Sequence, residues 1–150
     1  MRKAIIAFCS IIVLASPAFA GTGLITKKSA HSVKQTLDRI EKALKEKGIV
    51  TFARIDHAAG AKKVGAHLRP TELLIFGNPK LGTPLMQSNQ TIGVDLPLKV
   101  LAWEDGNGQV WLMYYAPAFL ADRHGITDRA DVLTKMSGAL QQLTDVATKP

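Results

Sequence analysis

The chain has 150 residues, 47% of them hydrophobic, and its 19 lysines and arginines outnumber 12 acidic residues for a net charge of +7. A single cysteine, Cys9, excludes an internal disulfide framework and a thiolate metal cluster. The positive surplus favours anionic partners in general, but aromatics are only 6% of the chain, and no basic–aromatic interleaving of the kind that stacks single strands occurs, so no nucleic-acid partner is expected.

Met1-Arg2-Lys3 is a basic start, and Ala4 to Leu14 is an apolar run too short for a comfortable membrane span. Ala15-Ser16-Pro17 breaks the run, and Ala18-Phe19-Ala20 supplies the small residues of a processing site. Residues 1–20 therefore read as a secretory signal peptide cleaved after Ala20, with residues 21–150 as one domain in the periplasm or outside the cell. Cleavage removes Arg2, Lys3 and Cys9, leaving 17 basic against 12 acidic residues, a charge of +5, and no thiol. Cysteine-based catalysis and covalent haem attachment are then excluded.

Leu24 to Thr26 suits an edge strand. Ser32 and Gln35 fit a capping box, and Val33, Leu37, Ile40 and Leu44 make one helical stripe ending at Gly48. Asp38–Lys42 and Glu41–Lys45 are spaced to pair on the wet side. Ile49 to His57 reads as a strand, and the alanine-rich Ala58 to Ala66 as a short helix. Leu73-Leu74-Ile75-Phe76 is continuously apolar, as in a strand covered on both faces. Gly77-Asn78-Pro79 turns the chain into one or two helical turns over Pro79 to Ser88, and Ile92 to Pro97 is a loop.

Leu98 to Glu104 and Gln109 to Tyr115 form a hairpin closed by Asp105-Gly106-Asn107-Gly108. Trp103 and Trp111 flank that turn and can pair across it; an exposed part of this aromatic group would suit a dimer interface. Pro117 to His124 is a short helix. Thr127 or Asp128 caps a last helix with Val132, Met136, Leu140 and Leu143 on one stripe, followed by a fraying tail. Helices mixed with a hairpin predict an α+β fold: one two-layer domain with helices packed on an antiparallel or mixed sheet.

Several segments resemble, in this order, the family called domain of unknown function 302. They are Gln35-Thr36-Leu37, Ile55-Asp56-His57-Ala58-Ala59, Leu73 to Pro79, Gly82 to Met86, Asp95 to Lys99 and Arg123-His124-Gly125. The resemblance spans Ser29 to the chain end. It implies a compact α+β domain, often exported in bacteria, and a homodimer, and it brings no catalytic residues.

The polar candidates sit at element ends. Asp56-His57 ends a strand, and Arg123-His124 ends a short helix. Gly77, Asn78 and Lys80 form a bend whose free N–H groups would welcome an anionic or amphipathic small ligand. Asp95 precedes a strand and could join acid–base chemistry if a second carboxylate met it. If Asp56, His57, Gly77, Asn78, Lys80, Asp95, Arg123 and His124 converge, they line one pocket of a small-ligand-binding or interaction module. The alternative is a metal- or haem-dependent enzyme using His57 and His124. No metal-binding spacing supports that alternative, no motif specifies a cofactor, and no nucleophile elbow supports hydrolysis. His31 and His67 are expected to face solvent.

Overall fold

The computed structural model describes residues 21–150; the expected signal peptide, residues 1–20, lies outside the described residues. Five strands form one antiparallel sheet: β1 (Leu24–Ser29), β2 (Val50–Asp56), β3 (Thr71–Gly77), β4 (Leu98–Glu104) and β5 (Val110–Tyr115). Their order is β1-β5-β4-β3-β2, which puts β4 in the middle and β1 and β2 on the two edges. Every neighbouring pair is antiparallel. The chain is thus α+β, and the alternative of a mixed sheet falls away.

Helix α1 (Val33–Glu46) starts as its sequence dictates. The Ser32 side chain accepts from Gln35 N–H while the Gln35 side chain reaches back to Ser32 N–H. Val33, Leu37, Ile40 and Leu44 are all buried. They meet Leu74, Phe76, Val100 and Leu112 of the sheet and Leu140 and Leu143 of the last helix, α5 (Ala130–Thr148). Burying each such side chain contributes about 1.5–3 kcal/mol. A second apolar cluster carries the core beyond the sheet. It joins α5 to three short elements: α3 (Pro79–Ser88), the 3-10 turn Gln90–Val94, and α4 (Pro117–Arg123).

Six local expectations need correction. The acidic side chains of α1 do not pair with Lys42 and Lys45. Asp38 pairs with Lys34 at 2.8 Å, and Asp38 and Glu41 both take hydrogen bonds from Arg54 of β2, at 2.6 and 2.8 Å. Arg54 also reaches Glu72 at 2.6 Å, because β2 and β3 lay the two residues on the α1 side of adjacent strands. The Ile92–Pro97 loop is in part helical, since Asn89 caps the 3-10 turn by accepting from Thr91 N–H. Helix α5 begins at Ala130 without a side-chain cap, because Arg129 occupies the cap position and its guanidinium has no acceptor, while the Asp128 carboxylate is engaged by Ser88 and Arg129.

The tail is tied rather than frayed. Thr148 is buried, Arg39 donates to Val146 O and Lys149 O, and His31 Nε2 lies 2.8 Å from Lys149 O, so His31 is not simply a solvent-facing ring. Finally, the apolar run in β3 is covered by helices on one face only. Leu74 and Phe76 are buried under α1, whereas Leu73 and Ile75 on the other face are half-buried.

Candidate functional site

The bend after β3 builds the principal cavity. Asn78 caps α3, its side chain accepting from Lys80 N–H at 3.0 Å, and its carbonyl accepts from Leu81 and Gly82 N–H. Proline at the first helical position needs no N–H partner there. The helix is thereby swung over the open end of the sheet, where it roofs a cavity of about 270 Å³. Leu81 and Met86 hang from the roof, Phe76 and Leu98 form the floor, and Met136 and Leu140 of α5 form the far wall. Asn78 and Thr83 supply the polar side chains of the lining.

Gly77 sits where the chain is approached closely, and a side chain there would press on its neighbours. A Cβ there would lie 3.3 Å from Pro97 Cβ and 3.4 Å from Phe52 Cε2. Phe52 stands at the rim, 56% exposed although it lines the cavity. It sits where the β2–β3 register shifts between Thr51 and Ala53, a bulge that re-aims side chains.

A polar knot stands beside this cavity. His124 Nε2 is 2.8 Å from Asp95 Oδ2, and His124 Nδ1 is 2.8 Å from Thr91 Oγ1. Asn89 Nδ2 donates to His124 O at 2.8 Å, and Arg123 approaches Asp95 Oδ1 at 3.5 Å. The His124 and Asp95 side chains are only 9% and 18% exposed, so this pair is largely withdrawn from solvent, while Thr91 and Arg123 beside it are exposed. The Thr91 hydroxyl donates to Asn89 Oδ1 at 2.9 Å, which leaves it an acceptor toward the ring. A nucleophilic Thr91 would need the opposite polarity. A smaller cavity of about 200 Å³ runs past Asp95, Lys99 and Tyr115, and shares Leu98 and Leu140 with the first.

The sequence-predicted residues therefore fall into three places. Gly77 and Asn78 line the apolar cavity, with Lys80 exposed on the first turn of α3. Asp95, Arg123 and His124 converge as expected, next to it. Asp56 and His57 do not join them. Asp56 pairs across from Glu72 at the start of β3, whereas Gly77 pairs with Val50 at its end. The length of the strand separates the two ends, roughly 20 Å at about 3.3 Å per residue. His57 opens α2 (His57–Lys63) with an exposed side chain, and Asp56 Oδ1 caps that helix by accepting from Ala59 N–H at 2.8 Å. The single pocket holding both imidazoles, on which the metal- or haem-enzyme alternative depended, is overturned by strand direction. Among the described residues no three His, Cys, Asp or Glu side chains are grouped to hold a metal ion.

Sequence reasoning missed Phe52, Met136 and Ala139, which line the cavity from β2 and α5. Met136 was legible as core, but nothing in its spacing said that the core opens there.

Residues 25–143 match the family model described as "Domain of unknown function DUF302". The chain belongs to this family. An uncharacterised conserved DUF302 protein from Bacillus stearothermophilus has the same fold, with a TM-score of 0.74 over 85% of this chain and 99% of that one, at 19% identity. Two relatives are 53% identical over 114 residues: "Fluoride-specific ion channel FluC 1" of Brucella suis biovar 1 (strain 1330) and the protein of the same name from Brucella abortus biovar 1 (strain 9-941). The match covers 76% of this chain but 45% and 42% of those proteins, so the DUF302 chain spans less than half the length of these curated relatives. No helix among the described residues is long and apolar enough to cross a membrane.

Proposed function

We propose that this DUF302 protein is an exported small-ligand-binding module that takes an apolar or amphipathic molecule under α3. The observation that carries the reading is the cavity's chemistry: about 270 Å³, walled by aliphatic, aromatic and methionine side chains, with its few polar groups at one side. An apolar cavity of about 150 Å³ accommodates a benzene-sized molecule, so this one has room for a substituted ring or a short acyl chain. Met86 and Met136 make the wall adaptable to shape. Asn78, Thr83 and Lys80 are the groups we assign to a polar or anionic head. Asp95 borders the second cavity, with His124 and Arg123 against its carboxylate, while Asp56 and His57 play no part in this site. The reading includes export through residues 1–20 and a homodimeric state.

The experiment is organic extraction and mass spectrometry of the full chain purified from its own host. A stoichiometric small apolar molecule supports the reading; a chain that carries none and takes up none from a host lipid extract contradicts it.

A second reading draws on the relatives. In them a matching region shares a chain with more than half a protein outside the match, in proteins named as fluoride channels. On that reading the domain accompanies a membrane protein handling fluoride. Fluoride sensitivity of a host lacking this protein tests it: unchanged growth in fluoride rejects the link.

A further inference from the structure

The side of the sheet turned away from α1 and α5 has an unusual composition. Strand register sets Ile55, Leu73, Leu101 and Met113 side by side across four strands, and Trp103 beside Trp111 in the next row. These residues are half-buried or exposed, and Ile55 is 41% exposed. An antiparallel sheet with one wet face normally alternates apolar inward and polar outward. Here the outward positions at the centre are aliphatic, and both tryptophans of the chain lie among them. The two lysines of this face sit toward its margins: Lys28, with Nζ 5.4 Å from the Trp111 ring, and Lys99 near the Leu98 end of β4.

We propose that a second copy of this chain stacks on this face, sheet against sheet, about a twofold axis that crosses the strands at Leu101. Two features choose a second copy over another occupant. Leu101 is the middle residue of the middle strand, so a twofold there brings the apolar row of each copy onto that of the other. An axis crossing the strands also turns each Lys99 toward the Trp103 end of the opposite sheet, away from its own counterpart. The area is sufficient as well. Five strands about 4.8 Å apart and roughly 20 Å long present a face of about 24 by 20 Å in projection, so stacking two of them buries on the order of 1,000 Å² or more, the size a specific interface needs. This assignment also answers the continuous apolar run of β3. Leu74 and Phe76 are covered by the chain's own helix, and Leu73 and Ile75 by the partner copy.

This inference rests on the homodimer reading given above, and the arms of the test separate the two. Sedimentation of the full chain across a wide concentration range is expected to show monomer and dimer in exchange. Tryptophan emission should shift to the blue as dimer forms, since Trp103 and Trp111 both lie on the face. Leu101→Lys should weaken association roughly 30-fold or more, the loss typical of a central interface residue, with circular dichroism unchanged. Leu101→Cys should cross-link to itself on mild oxidation, with the parent chain as control for Cys9. If Leu101→Lys does not fold, the cross-link in Leu101→Cys decides alone. A parent chain that stays monomeric at high micromolar concentration, or that is monomeric and floats with lipid vesicles, overturns both the dimer and its surface. A dimer that survives Leu101→Lys and gives no cross-link in Leu101→Cys overturns the surface alone.

Discussion

His124 Nε2 and Asp95 Oδ2 lie 2.8 Å apart and tie the end of α4 to the segment that enters the middle strand. The tie runs between residues 29 apart in sequence and is closed on its other side by Thr91 and Asn89. It is a structural joint, and it stands across Leu98 and Leu140 from the apolar cavity.

Breaking that joint should therefore cost stability and spare ligand uptake. His124→Ala removes the ring that Asp95 and Thr91 hold inside the structure, and about 1–3 kcal/mol of unfolding free energy should be lost in a urea titration. Retained binding of an apolar probe by the folded variant is expected; loss of binding would place His124 in the site itself.

Arg54 is a second joint, between the edge strand β2 and α1. Burial alone would lower its pKa, but hydrogen bonds to Asp38, Glu72 and Glu41 more than offset this and hold the guanidinium well above its ordinary value. Arg54→Met leaves Glu72, 15% exposed, beside two further carboxylates without the cation that joins all three. With the group partly open to solvent, we expect a loss of about 1–3 kcal/mol, less than for a fully buried pair. Urea unfolding at neutral pH measures it.

The same network fixes an acid response. Hydrogen bonds from Lys34 and then Arg54 hold the Asp38 carboxyl below its ordinary value. Lys27 does the same for Asp145. A carboxyl so held binds fewer protons folded than unfolded, so its contribution is fully present above the ordinary carboxylate pKa of about 4 and is lost as pH falls through the depressed folded value. Stability should be flat from about pH 7 to pH 5 and should fall below about pH 4. The fall should be shallower in Arg54→Met, since Asp38 then loses one source of its depression. An identical acid limb in both proteins would show that Arg54 does not set it.

The cap of α1 gives a smaller, cleaner effect. Ser32→Ala removes the acceptor for Gln35 N–H and should lower stability by about 1 kcal/mol, read from the thermal or urea midpoint.

What the sequence made legible was the local chemistry. The capping box at Ser32, the stripes of α1 and α5, the Asp105–Gly108 turn and the bend after Phe76 each depend on neighbours a few residues away, and each formed as the pattern required. The Trp103–Trp111 pair was legible for the same reason, because a tight hairpin sets its own register; the rings stack at 6.4 Å. The site was harder to read because it depends on which strand ends meet. His57 and His124 look alike in sequence, each closing a short element with an acidic residue one or two positions before it. They part because β2 carries His57 to one end of the sheet while β5 delivers α4 to the other. Likewise Asp38 and Glu41 have lysines four residues on, yet Arg54, brought in by the edge strand, outcompetes those exposed lysines for both carboxylates. Phe52 and Ala139 carry no local mark of a cavity, which exists only where α3 swings over α5.

The most direct test of the cavity is a titration with a hydrophobic fluorophore such as N-phenylnaphthylamine, comparing the parent chain with Ala139→Phe, which projects a ring into the space under α3, and with Leu101→Lys on the open sheet face. Saturable binding that is lost in Ala139→Phe and kept in Leu101→Lys is the predicted result. Binding that Ala139→Phe leaves unchanged would contradict the assignment of the ligand site.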